Sequence, residues 1–242
     1  MGNLLSWLFR ERQDSLTGIL NGINEEEWNP KLDKKIYQNY SIEDVEKGKL
    51  ANKLALYQEY GLHVELHRPL IGLIGRLTHQ KGFDTFLNSF YQKWKLPFYY
   101  FILGSGDKRT EGAFFHESHH SNGRVFFYKG FDETLARKIE AASDFFLMPS
   151  LFEPCGLNQM YSHAYGAIPI VSRVGGLKDS VTETWDKKQN TGFIFEAGLE
   201  HSLDYALDRA LTLYHDKEEF NQTRQRIMKL DWSWKKGSAE YL

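Results

Sequence analysis

The sequence predicts an α/β fold with a single parallel sheet wound on both faces, and three observations carry that expectation. Six short apolar runs recur along the chain, each too short for a buried helix, and most end in glycine, serine or proline. Longer amphipathic segments separate them. The runs are apolar nearly throughout, which is how strands read when helices cover both faces of their sheet. Right-handed crossovers between such strands make the domain Rossmann-like.

In order, "PLIGLIGRL" (69–77) predicts the first strand and the amphipathic stretch at about 82–94 the helix after it. "FYYFILGSG" (98–106) predicts the second strand, and Asp107 caps a helix over 107–119. "RVFFYKGF" (124–131), "DFFLMPS" (144–150), "AIPIVSR" (167–173) and "TGFIFE" (191–196) supply the other four strands. Helices are expected over 132–142, 156–166, 178–188 and 199–214. Two flanks differ from this rhythm. Residues 31–63 are polar and helical, opening on a Ser41 cap and stopping at Gly61. Residues 216–242 form a charged, aromatic helical tail whose Ile227, Leu230, Trp232 and Trp234 can cover apolar surface on this domain or on another. No internal repeat or low-complexity linker interrupts the pattern, so the chain reads as one domain with helical appendages.

Composition narrows the function. The 242 residues suffice for a sizeable core, and 41% hydrophobic residues exclude wholesale disorder. Lysine and arginine (30) nearly balance aspartate and glutamate (32), so no whole-molecule basic field is available for nucleic acid. One cysteine permits no internal disulfide. No apolar run reaches the roughly 18 residues of a membrane span, and a soluble cytoplasmic protein is expected. "MGNLLS" fits the loose acylation pattern at Gly2 and Ser6, which chance often produces.

In open α/β sheets ligands sit beyond the carboxyl ends of the strands, so the strand-to-helix loops are the informative residues. In "GRLTHQKGF" (75–83), Arg76 and Lys81 place two cations beside a helix start, which suits a diphosphate or else is a pair of solvated charges. The Gly104/Gly106 pair of "ILGSGD" is explained equally by a tight turn. No acidic residue follows at dinucleotide spacing, so a dehydrogenase fits poorly. Gly175 and Gly176 in "SRVGGLKDS" allow an anion close to backbone N–H groups, or form a plain turn.

"PSLFEPCGLNQMYSHAYG" (149–166) joins an acid, the only cysteine and a glycine-opened helix, and admits three readings. Cys155 as a nucleophile needs a histidine, and His163 lies about two turns along the next helix. A metal cluster finds no matching ligands on the same rim, and the histidines of "FFHESHH" (114–120), with His116 and His120 four apart, read better as a solvated helix end. A backbone cradle with Glu153 accepting hydroxyls is the third reading. Together, the four loops offer cations, exposed amides and one acid, which is what a sugar joined to a diphosphate requires.

"GRLTHQKGFD", "PSLFEPCGLNQMYSHAYGAIPIVSRVGGLKDSV" and "GILNGINEEEWNP" resemble the carboxyl-terminal half of bacterial glycogen synthases and plant starch synthases, from about residue 4 to 242. The resemblance implies a retaining glucosyltransferase of glycosyltransferase-B architecture, two Rossmann-like domains across a cleft, of which this chain is the second. It implies that residues 1–20 belong to the end of an amino-terminal domain missing from the sequence. Residues 21–215 are then the nucleotide-sugar-binding domain, and 216–242 a helical tail packing back toward the missing lobe. It further implies ADP-glucose as donor, with UDP-glucose not excluded, an α-1,4-glucan as acceptor, and no metal or cofactor. The location is then bacterial cytoplasm, or the plastid in a plant.

By the same likeness Arg76 and Lys81 bind and stabilise the diphosphate, and Glu153 contacts hydroxyls of the transferred glucose. Amides at Cys155, Gly156 and Leu157 hold that sugar, Gly175, Gly176 and Leu177 contact the distal phosphate, Phe131 lies beside the base, and Asn21 stands at the cleft. Two positions depart from the family pattern: Asn24 stands where an aspartate is common, and Val174 where many bacterial members have threonine. The alternative class is a non-catalytic nucleotide-sugar or glucan-binding module that regulates a complete synthase.

Overall fold

A computed structural model describes residues 6–62, 65–92 and 96–241. Gly2 of the acylation pattern and residues 93–94 of the first expected helix lie outside them. All six expected strands form: β1 (Leu70–Leu77), β2 (Tyr99–Gly106), β3 (Val125–Lys129), β4 (Phe145–Met148), β5 (Ile168–Ser172) and β6 (Phe193–Phe195). They make one parallel sheet in the order β3-β2-β1-β4-β5-β6. The described helices are α1 (Ser6–Glu11), α2 (Val45–Glu59), α3 (Phe83–Gln92), α4 (Lys108–His120) and α5 (Glu133–Ala142), followed by α6 (Asn158–Ala164), α7 (Gly175–Ser180), α8 (Glu200–His215), α9 (Lys217–Ile227) and α10 (Trp234–Ala239).

The two faces of β2 show why its sequence reads as unbroken apolar. Tyr100 and Ile102 bury against Phe86 of α3 and Phe114 of α4. Tyr99, Phe101 and Leu103 bury against Leu56 of α2 and Ile139 of α5. Because the order reverses between β1 and β4, their outgoing connections diverge and leave a crevice at their carboxyl ends.

Three expectations change. Ser41 does not open α2: its N–H and Oγ–H donate to the Asp44 carboxylate at 2.7 and 2.8 Å, and Asp44 stands at the helix N-cap. The helix stops beside Gly61, at φ +63°. The helix expected over 178–188 is α7, three residues earlier and far shorter. Val181, Thr182 and Thr184 are β-branched and lose side-chain freedom in a helix. Thr182 instead pairs across to Thr191, with its N–H on the Thr191 Oγ1 at 2.8 Å. Asp179 and Ser180 therefore end a helix rather than begin one. Lastly, residues 216–227 cover apolar surface on this domain rather than on another. Phe220 and Ile227 of α9 are buried in the same cluster as Phe145 of β4, so the packed unit runs through α9.

A buried ion cluster fastens that helix. Asp144, just before β4, accepts from Lys53 Nζ of α2 at 2.8 Å, Arg224 Nη2 of α9 at 2.5 Å and the Leu70 N–H at 2.8 Å. Burial alone raises this carboxyl, but the two cations outweigh it and hold the pKa down at about 2. The cluster lies at the amino ends of β1 and β4, away from the crevice. At the chain's flanks, the Ile23 N–H donates to the Trp232 carbonyl at 2.7 Å and Ile23 pairs in parallel with Ser233. The segment entering the domain thus runs beside the segment leaving it. Among the described residues no helix is long and apolar enough to cross a membrane.

Candidate active site

A cavity of about 290 Å³ opens in the crevice, lined by the carboxyl ends of β1, β2 and β4 and the start of α6. Six of the eleven residues expected at the site reach its wall: Arg76, Lys81, Phe131, Glu153, Gly156 and Leu157. Lys81 Nζ lies 2.5 Å from Glu153 Oε2, and the Ser150 hydroxyl donates to the same oxygen at 3.3 Å. Arg76 is exposed at the end of β1, and Phe131 stands at the rim with 84% of its surface in water.

Two loops that are distant in sequence bring Lys81 and Glu153 together, and backbone contacts lock those loops to each other. The Leu151 N–H donates to the Gln80 carbonyl at 2.8 Å, and Gln80 Nε2 donates to the Phe152 carbonyl at 3.0 Å. Gly82 closes the first loop at φ +68°, where a Cβ would stand 1.7 Å from the Pro149 carbonyl oxygen. Both the backbone sign and the contact demand glycine there.

The glycine pair also shapes the turn beside it. The Gly176 N–H is directed at the Glu153 and Pro154 carbonyls, 3.2 Å from each, and a Cβ there would meet the Cys155 backbone at 2.2 Å. Gly175 and Gly176 let α7 press against the Glu153–Cys155 turn from behind, and they fix the acid's position. Leu177 is fully buried among Phe146, Met148 and Val171. Gln159, also fully buried, completes the support: its Nε2 donates to the Cys155 and Gly156 carbonyls at 3.1 Å and to Ser180 Oγ at 3.0 Å. Asn158 Nδ2 ties the start of α6 to the Ile74 carbonyl at 3.1 Å.

Cys155 faces the other way. Its Sγ accepts the Asn21 N–H at 3.4 Å, and the turn that carries it separates the main cavity from a second one lined by Asn21, Pro154 and Asp179. His163 is no base for it. Burial lowers its pKa to about 4, its Nε2–H donates to the Thr191 carbonyl at 3.1 Å, and its ring stacks on Trp232. In a complete two-lobe enzyme, Cys155→Ser is expected to keep most of the transfer rate; a fall of a hundredfold in an initial-rate assay would restore the nucleophile reading. The histidines of α4 likewise serve their own helix: the Nδ1–H groups of His119 and His120 donate to the Phe115 and His116 carbonyls at 2.8 Å. Among the described residues no three His, Cys, Asp or Glu side chains gather as a metal site. Asn24 replaces the expected aspartate without losing a local role, since its Oδ1 accepts the Glu26 N–H at 3.1 Å.

The model of the glycosyl transferases group 1 family matches residues 62–227. The chain belongs to this family. As a group 1 glycosyltransferase chain it is 56% identical over 238 residues to a glycogen synthase of Leptospira biflexa, covering 98% of itself and 50% of that protein. It is 42% identical over 241 residues to a glycogen synthase of Rhodospirillum rubrum, again over 50% of the relative. The chain therefore spans about half the length of the curated relatives it matches. Among solved structures, the catalytic domain of starch synthase IV from Arabidopsis thaliana, bound to ADP and acarbose, superposes with a TM-score of 0.90 at 35% identity. It covers 98% of this chain and 50% of that one. Within this glycosyltransferase fold, sequence reasoning missed Ser150, Asn158 and Gln159. The one available signal was the polar pair Asn158–Gln159 opening a helix in an otherwise buried stretch.

Proposed function

We propose that this chain is the donor-binding lobe of a glycogen or starch synthase. The complete enzyme transfers glucose from ADP-glucose to the non-reducing end of an α-1,4-glucan with retention of configuration. The observation that carries the reading is the convergence of Arg76, Lys81, Glu153 and Phe131 on one cavity at the sheet's reversal point, in a chain so similar to glycogen synthases and to an ADP-bound starch synthase. Phe131 offers a flat apolar face to the base. Arg76 and Lys81 meet the diphosphate, and Glu153 accepts hydrogen bonds from glucose hydroxyls. The glycine pair acts on the distal phosphate and sugar chiefly by setting the turn that presents Glu153.

During transfer the bond from the anomeric carbon to the diphosphate oxygen breaks and a bond to the acceptor 4-oxygen forms. Retention brings the acceptor in on the face the diphosphate leaves, so the departing oxygen is itself placed to take the 4-hydroxyl proton. A glycosidase places two carboxylates about the bond; the cavity wall here holds one, Glu153, already paired with Lys81. Stabilising charge as it grows on the leaving group is then the main catalytic contribution of this lobe. No metal or cofactor enters this scheme. The acceptor and the second lobe complete the cleft, and the reading places the enzyme in the bacterial cytoplasm.

The test is calorimetric titration of the chain with ADP, ADP-glucose and UDP, followed by mixing with a separately expressed amino-terminal half. Weak ADP binding, weaker UDP binding and glucan elongation only on mixing are expected. Robust elongation by the 242-residue chain alone, or nucleotide binding with no activity on mixing, would overturn the reading, and the second outcome would favour a regulatory module. Phe131→Ala should weaken ADP binding about tenfold by removing the stacking face, and an unchanged titration would remove Phe131 from the base site.

A further inference from the structure

A third cavity, of about 390 Å³, lies at the β6 edge of the sheet, where β5 and β6 begin, walled by the end of α8 and the first turns of α9. Trp185 stands on its wall with 96% of its surface in water. Scattered exposed apolar residues are ordinary. This one is held out on a braced loop. The Thr191 N–H donates to the Thr182 carbonyl at 2.9 Å, and the Thr184 N–H to Asn190 Oδ1 at 2.6 Å. Arg226 of α9 grips the Asn190 and Lys187 carbonyls at 2.9 and 3.1 Å. An indole presented on a prearranged loop can bind a ligand without the cost of ordering the loop first.

The polar wall opposite is equally fixed. Arg209 donates to both carboxylate oxygens of Glu183, at 2.8 and 3.0 Å, and the Ile194 N–H donates to Glu183 Oε2 at 2.6 Å. Glu183 and Arg209 neutralise one another, and Lys187, Asp216 and Glu219 add one positive and two negative side chains to the same lining. The cavity therefore lacks the cationic excess that a phosphate, nucleotide or nucleic acid requires. What suits a flat aromatic face beside immobilised carboxylate and amide groups is a neutral, hydroxyl-rich ring, whose C–H face covers the indole and whose hydroxyls satisfy the polar wall.

We propose that this cavity is a glucan-holding site remote from the donor cavity, with Trp185 stacked on a glucose ring and the Asp216 carboxylate receiving its hydroxyls. The choice of an α-1,4-glucan among neutral sugars rests on the donor-lobe reading above. The site lies at the amino ends of the strands and the donor cavity at their carboxyl ends, so the two bind different ligands independently. Holding one stretch of a polymer here raises the effective concentration of its chain ends near the lobe.

The experiment titrates maltoheptaose into the isotopically labelled 242-residue chain while the Trp185 indole N–H is followed by NMR, with cellohexaose as the β-linked control. A separate ADP titration follows the Gly104 and Gly130 amides of the donor cavity. Maltoheptaose is expected to shift the Trp185 signal saturably. Trp185→Ala should weaken retention in a glycogen-containing gel at least about tenfold while leaving the ADP titration unchanged. Because that side chain is exposed, the variant keeps the core intact. No Trp185 shift up to the solubility limit of maltoheptaose, undiminished gel retention by Trp185→Ala, or equal binding of cellohexaose overturns the assignment. A Trp185 response with silent donor-cavity amides leaves this site standing and sinks the donor reading; the reverse pattern sinks this site alone.

Discussion

Lys81→Ala, introduced into a two-lobe synthase that carries this sequence as its donor half, lowers turnover by about a hundredfold, on the order of 3 kcal/mol of transition-state stabilisation. In the unliganded lobe Lys81 is committed to Glu153 at 2.5 Å. On the proposed reading, a donor's phosphate draws the ammonium from the carboxylate and frees Glu153 for sugar hydroxyls. The interaction with the diphosphate strengthens as negative charge grows on the departing oxygen, so its loss falls on kcat more heavily than on KM. Steady-state kinetics with ADP-glucose and a glucan primer read this directly. Near-normal kcat with a raised KM would make Lys81 a ground-state binder only, and Lys81→Arg separates charge from shape, since a planar guanidinium does not reproduce a compact ammonium.

Asp144→Ala has the largest expected effect on stability. It strands Lys53 and Arg224, both buried, without their shared counter-ion, and removing one partner of a buried ion cluster costs about 3–5 kcal/mol. The sign of the pH dependence follows from the carboxyl's depressed pKa. Its stabilisation is complete above the ordinary value of 3.8 and disappears as pH falls through about 2. Denaturant melts of wild type and Asp144→Ala should therefore differ most near neutrality and converge in acid. A gap that is constant with pH, or that widens in acid, would show that the carboxylate charge is not what holds α2 and α9 to the sheet.

The sheet was legible because both of its faces are covered. Strand positions are then apolar nearly throughout, as in 99–103 of β2, and the turn residues mark the ends. The ends of helices were less legible. Ser41 is a good cap by composition, yet Asp44 stands at the cap because Ser41 folds onto its carboxylate. The α7 stretch was misplaced because its start is fixed by a long-range contact, the Gly176 N–H on the Glu153 and Pro154 carbonyls, rather than by a local side chain. Charge types at the donor cavity were visible in the loops, but pairing was not. Lys81 and Glu153 are 72 positions apart and meet only once β1 and β4 lie side by side. Gln159 was invisible for a related reason: a buried amide that braces a turn has no periodicity to betray it.

The hydrogen-bonded crossing of Ile23 with Trp232 and Ser233 has a practical corollary. A folded unit whose two extremities meet can be lifted from one polypeptide and set into a loop of another, or opened elsewhere and sutured here, with little stretching of its backbone. A neighbouring unit joined on at this crossing is tied by two chain segments instead of one.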